Sequence, residues 1–366
     1  MRFDEVIGQR EVVGKLTDGA DASRLPHAIL LCGPEGNGGM AIALALADRL
    51  LSVSDSSRAM MAKLQHPDLH MSFPIFKKDP SKPSVCDEFV KRWREMLLGN
   101  PYFGSQEWLD AIGAENHQLM IYEAESDALT RKLSIRSSQG GYRVVIIWQP
   151  EKMNAICANK ILKLLEEPPS GVVFVMVSEH QEQLLDTIRS RCQIIDAPRL
   201  TTADIEEALV SRHSLDRDQA HLIARSSYGN MTAALRSISD DSEQELFFGL
   251  FVELMRLCYQ RKVKEMKQWS EKVAGLGREK MKRFLGYCQR MLRENFMYNF
   301  HREEIIYMNE RERSFAANFS PFVNENNVIG IMEELSLCMR DVSQNANAKI
   351  VFFDFALKMI VLIKNR

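Results

Sequence analysis

Cysteine is sparse in this chain, and no two of the seven thiols, at 32, 86, 157, 192, 258, 288 and 338, lie close together. An odd count without a paired spacing excludes a disulfide framework and a four-cysteine zinc site, and points to a reducing compartment, the cytoplasm. An excess of one charge is also lacking. The 47 Lys and Arg offset 49 Asp and Glu to leave −2, so no global basic field drives nonspecific nucleic-acid binding, and any such contact must be local or shared with partners. Long hydrophobic runs are missing too. The most apolar stretch, 350–363, is interrupted by Asp354 and Lys358 and is shorter than the roughly 20 residues a bilayer requires. The opening Met1-Arg2-Phe3-Asp4-Glu5 places acids where a signal peptide needs basic and then apolar residues, so secretion is not expected.

What is present is a globular composition, 45% hydrophobic and 26% charged, in a chain long enough for two or three domains. An apolar run, 28–32, ends in a glycine-rich loop, 33–39, and then in an alanine- and leucine-rich stretch, 40–47. That order predicts buried strand, tight loop and helix. Two further runs, 144–147 and 172–177, are β-branched and apolar without alternation, as a parallel sheet covered on both faces demands. The first 199 residues therefore read as an α/β core. The Pro-, Ser- and charge-rich stretch at about 52–123 is longer than a strand-to-helix connection needs and reads as an insertion. Beyond Pro198, Thr201-Thr202-Ala203-Asp204 looks like a capped helix start and Gly229 punctuates another, so 200–241 reads as a small helical domain. From 242 to 366 the periodicity is helical throughout, with Phe247, Leu250, Phe251, Leu254 and Cys258 on one face. Its last segment, apolar nearly all round, should be buried in its own bundle or in a neighbour's.

A working phosphate loop reads G-x-x-x-x-G-K-[ST]: backbone amides cradle the phosphates, the lysine neutralises them and the hydroxyl holds magnesium. Here the frame is Gly33-Pro34-Glu35-Gly36-Asn37-Gly38-Gly39-Met40. Gly39 stands where the ammonium should be and Met40 where the hydroxyl should be. The carboxylates that should end the next core strand are replaced by Trp148 and Gln149. Glycine loops alone are weak signals, but two matching defects in one nucleotide-site layout are harder to obtain by accident. No bound nucleotide or other cofactor is expected.

Three motifs then carry a resemblance: Arg24-Leu25-Pro26-His27-Ala28, the stretch 159–169 containing Leu164-Leu165-Glu166-Glu167-Pro168-Pro169, and Thr187-Ile188-Arg189-Ser190-Arg191-Cys192. Together they resemble the bacterial DNA polymerase III clamp-loader subunits, by motif over about 1–240 and by helical layout beyond. The resemblance implies an AAA+ P-loop-type core (1–199), a small helical lid (200–241) and an all-α collar (242–366). The broken phosphate loop points to a subunit without ATPase activity, not to the ATP-hydrolysing tau/gamma type. The implied partners are tau/gamma and delta subunits and, through the complex, the sliding clamp and primed DNA. In that family the Ser-Arg-Cys motif places its arginine in the adjacent subunit's ATP site, which carries over to Arg191, with Ser190 and Cys192 shaping the turn; an internal salt bridge is the competing role for Arg191.

Two departures bear on metal and nucleotide. Relatives commonly carry a four-cysteine zinc module where this chain offers only Cys86, so no metal is expected; His66-Pro67-Asp68-Leu69-His70 suits a turn better than a ligand set. The lid has Gly229-Asn230-Met231-Thr232 where an active relative places a nucleotide-sensing arginine. Ser178 matches a polar sensor position approximately, and a strand-end hydroxyl is its plainer role. The cations Arg131, Lys132 and Arg136 read as a solvated helix face before a DNA contact. Two alternatives stay open: a diverged AAA+ ATPase of DNA repair or recombination, and an adaptor in which Arg191 has no target.

Overall fold

The computed structural model describes residues 1–366 except 80–81, 115–116, 136, 138–140, 240, 302–305 and 365–366. Contacts divide the chain into two compact units, Met1–Leu235 and Arg236–Arg366. The helix Met231–Ser239 runs across the division.

The first unit is built on a five-stranded sheet of β1 (Ala28–Cys32), β2 (Leu69–Ser72), β3 (Arg143–Trp148), β4 (Val172–Ser178) and β5 (Gln193–Asp196). The order is β2-β3-β4-β1-β5, and every pairing is parallel. The lack of alternation in the central strands has its cause here, because both faces are covered. Ile29, Leu31, Val144, Ile146, Val173 and Val175 point into one core with the helix Gly39–Leu51. Leu30, Val145, Ile147, Phe174 and Met176 point into another with the helix Ala155–Glu166. This is the parallel α/β core, covered on both faces, expected from the sequence.

Residues 52–123, set apart from the sequence as an insertion, are built into this unit. Their Leu69–Ser72 is the edge strand that pairs with β3. Their Phe73, Trp93, Phe103 and Trp108 form an aromatic cluster with Trp148, inside the same core as the helix Gly39–Leu51. The short strands β2 and β5 carry little apolar signal. His70 interrupts the first, and β5 is an exposed edge with polar ends. The helices Thr202–His213 and Arg217–Ser226 follow β5 within this unit, the first closed by a capping box of Thr201 and Asp204.

The described residues of the second unit hold helices and no strand. Phe251, Leu254, Trp269, Phe284, Leu292 and Phe352 lie in one buried core. The last helix, Ala348–Leu362, buries Phe352, Phe355, Ala356 and Met359 in its own bundle and leaves Ile350 and Val361 exposed.

Candidate functional site

The glycine loop leaves β1 and enters the helix Gly39–Leu51 through Gly38, whose φ of 92° is the left-handed conformation glycine adopts without strain. The backbone cradle is thus formed, but one of its amides is already used. The Asn37 side chain accepts the Gly39 N–H at 2.9 Å and donates to the Ala197 carbonyl at 2.8 Å. An amide that would hold a phosphate in a working loop is therefore satisfied by a carboxamide of the loop itself. Gln9 donates to the Asn37 and Pro198 carbonyls at 2.9 and 2.6 Å, and the Met231 N–H donates to the Gly36 carbonyl at 3.1 Å.

Space is closed as well. Tyr102 stands over the loop, so that a Cβ on Gly38 would lie 3.0 Å from its ring. Its hydroxyl accepts the Ile7 N–H at 2.7 Å, and burial pushes that phenol up to about 12. With Phe103 and Trp148 it lines a residual cavity of about 20 Å³, room for one water, which needs roughly 10–15 Å³, where ligand pockets run to ~300 Å³ and more. Gly39 has no space for a side chain, because a Cβ there would lie 2.9 Å from Val177 Cγ1. Trp148, at the end of β3, does not face a metal site but packs on Trp93 and Phe103 at 5.2 Å. Gln149 follows it with a left-handed φ of 52° and exchanges hydrogen bonds with the Ser105 hydroxyl. Removing the Tyr102 hydroxyl alone, as Tyr102→Phe, strands the buried Ile7 N–H and should cost about 1–3 kcal/mol. The readout is a lower urea midpoint by tryptophan fluorescence; an unchanged midpoint would show that the latch contributes nothing.

Carboxylates do gather here, although not at the end of β3 itself. Glu151 accepts the Ser178 hydroxyl at 2.9 Å and the Glu179 N–H at 3.3 Å. Burial, with Glu35 and Glu151 nearby, pushes Glu179 up to about 8. Glu35 and Glu179 line the cavity over the loop, so carboxyl groups already crowd the ground a triphosphate would take. Ser178 is a buried strand-end hydroxyl. Thr232, at the lid position of the missing arginine, is buried, with a hydroxyl that finds no partner among the described residues.

Arg191 is not among the residues that line this cavity and stands just after the one-turn helix Asp186–Arg189. It is about one third exposed and pairs with Glu166 at 2.5 Å, while donating to the Thr187 carbonyl at 2.8 Å. Glu166 belongs to the 159–169 motif, so the structure brings two of the three motifs together. Ser190 and Cys192 bond back to the Thr187 and Ile188 carbonyls, and burial pushes the Cys192 thiol up to about 11.

For metal, His66 Nδ1 accepts the Asp68 N–H at 3.1 Å, and burial pushes His70, within β2, down to about 4. The Cys86 thiol, raised well above its usual range by burial, donates to the Phe73 carbonyl at 3.1 Å. No group of three His, Cys, Asp or Glu able to hold a metal occurs among the described residues. Elemental analysis of the purified chain should find less than stoichiometric zinc, since a closed site needs four ligands; one zinc per chain would make His66, His70 and Cys86 the candidates. Lys132 pairs with Asp87 at 2.7 Å, and Arg131 is exposed. Arg136 lies outside the described residues. No described helix is long and apolar enough to cross a membrane.

The family described as DNA polymerase III, delta subunit, matches residues 8–201. The delta' subunit of Bacillus subtilis is 25% identical over 262 residues, covering 69% of this chain and 66% of that protein. The delta' subunit of Escherichia coli is 38% identical over 66 residues, 18% of this chain and 20% of that protein. The tau subunit of Escherichia coli is 26% identical over 247 residues, 66% of this chain and 33% of that protein. The matched stretch thus spans just under two thirds of the Bacillus relative and about a third of tau.

Proposed function

We propose a role whose premise is that this chain belongs to the DNA polymerase III delta subunit family: it is the delta prime-type subunit of a clamp loader, without nucleotide chemistry of its own. It assembles in the cytoplasm with tau/gamma and delta subunits, and through them acts on the sliding clamp and primed DNA. The proposed division of labour is a core (1–199), a lid (200–241) and a collar (242–366). The observation that carries the reading is a nucleotide cradle filled by Asn37 and Tyr102 in a chain whose Ser190-Arg191-Cys192 turn stays at the surface.

The active group is Arg191, offered to ATP held by a neighbouring tau/gamma subunit. A planar, permanently charged guanidinium meets two phosphate oxygens at once and stabilises the charge that develops as the γ-phosphoryl group transfers. In the free chain this side chain rests on Glu166, an exposed pair worth at most about 1 kcal/mol. Exchange of one carboxylate for a triphosphate is therefore inexpensive, and the Thr187 carbonyl can keep one guanidinium nitrogen in place meanwhile. Positioning falls to Ser190 and Cys192, whose bonds to Thr187 and Ile188 fix the turn. The filled cradle disfavours the diverged-ATPase alternative. Mixing this chain with tau/gamma and delta subunits tests the reading: a stable complex that raises clamp-dependent ATP hydrolysis is expected, and failure to co-purify would sink it.

A further inference from the structure

In the second unit several described cations are neutralised. Lys272 pairs with Glu253, Arg283 with Glu243 and Lys358 with Glu334. The turn between the helices Asp241–Gln260 and Val263–Ala274 is different. Arg256, Arg261, Lys262, Lys264 and Lys267 are all exposed, and none of their side chains makes an ion pair or hydrogen bond with a described residue. Within 256–267 the single acid is Glu265, so a net charge of +4 (five cations less one acid) sits on a chain whose total is −2.

The fold adds to this charge. The N-terminus of Val263–Ala274 has no side-chain cap, so its free amides and the positive end of the helix lie among the lysines. Repulsion among these groups destabilises the free chain unless an anion relieves it. At the centre stands Tyr259, 58% exposed. Phe322 braces it edge-on at 5.4 Å and 73°, which fixes the ring while leaving much of it to solvent. Cations flanking a braced, exposed aromatic ring are the elements that bind single strands: phosphates meet the charges and a base stacks on the ring. An acidic peptide would use the charges and leave Tyr259 without a task.

We propose that the 256–267 turn is a binding site for single-stranded nucleic acid, with the five cations on phosphates and Tyr259 as the stacking platform. The proposal stands on this patch and is independent of the clamp-loader reading. The test is fluorescence anisotropy of the full chain with a labelled oligothymidylate, a duplex of equal length and a polyglutamate peptide across a salt series. Five phosphate contacts predict a log–log salt slope near −3.5 for the single strand. The double reversal Lys264→Glu and Lys267→Glu should flatten that slope by about 1.4, which at 0.1 M salt is about a 25-fold loss. Tyr259→Ala should weaken binding about 5- to 150-fold with the slope unchanged. That split would not follow from a merely structural tyrosine. Lys63→Glu, in the first unit, should bind as the unaltered chain does. Preference for the duplex or the peptide, an unchanged affinity in the double reversal, or equal loss in Lys63→Glu would each overturn the proposal.

Discussion

Arg191→Ala should leave the isolated chain folded and depress clamp- and DNA-stimulated ATP hydrolysis once the loader is assembled. The first half follows from burial. The side chain is about one third exposed, and its partner Glu166 is about half exposed, so neither is stranded in a dry interior by the loss of the other. The second half follows from chemistry, because an arginine finger supplied in trans is worth roughly 10³ to 10⁵ in rate at the site it serves. The bulk rate should fall less, since other tau/gamma sites keep their own arginines. Lysine should rescue poorly, because a point charge does not reproduce the two-pronged contact. Glu166→Gln supplies a control: with its resting partner weakened, Arg191 should still reach its target, and hydrolysis should be retained. An Arg191→Ala complex that assembles, hydrolyses ATP and loads clamps at the unmutated rate would leave the adaptor role instead.

Restoring the missing letters of the phosphate loop should not restore the nucleotide site. In the isolated chain, Gly39→Lys with Met40→Ser supplies an ammonium and a hydroxyl in the right order. The new Cβ at 39 would nevertheless meet Val177 Cγ1 at 2.9 Å, an overpacking cost of about 1–3 kcal/mol. Asn37 would still hold the Gly39 amide, Tyr102 would still occupy the space over the loop, and the carboxyl groups of Glu35 and Glu179 would still line it. Calorimetry with magnesium ATP should therefore give a dissociation constant weaker than about 1 mM, or roughly −4 kcal/mol, for both the original and the altered chain. Micromolar, magnesium-dependent heat from either would mean that the cradle is open.

Much of the architecture is written in local sequence. β1, β3 and β4 announce themselves because strands buried on both faces are apolar at every position, and the glycine loop because a tight strand-to-helix turn needs residues without side chains. That the phosphate loop lacks its lysine and its hydroxyl is legible at Gly39 and Met40. How completely the site is closed is not. Tyr102 sits in a stretch whose composition reads as an insertion, and its contact with Ile7 spans 95 positions, a separation no periodicity encodes. Asn37 offered a faint signal, a carboxamide inside a loop whose amides need acceptors. Glu166 lies inside the 159–169 motif, yet its pairing with Arg191 depends on how the helix Ala155–Glu166 packs on Asp186–Arg189, a tertiary fact. The edge strands β2 and β5 were missed because edge positions tolerate polar residues and so lose the pattern that marks a strand.

The claim that this chain touches ATP only in a neighbour can be tested in one measurement. A photoreactive ATP analogue with its reactive group on the γ-phosphate is bound to the assembled complex with tau/gamma and delta subunits, irradiated, and the labelled peptides are mapped by mass spectrometry. The account predicts label on the peptide of this chain that contains Arg191 and none on the peptide that contains Gly33 to Met40. Label on the glycine loop, or label on tau/gamma with the Arg191 peptide left clean, would contradict it.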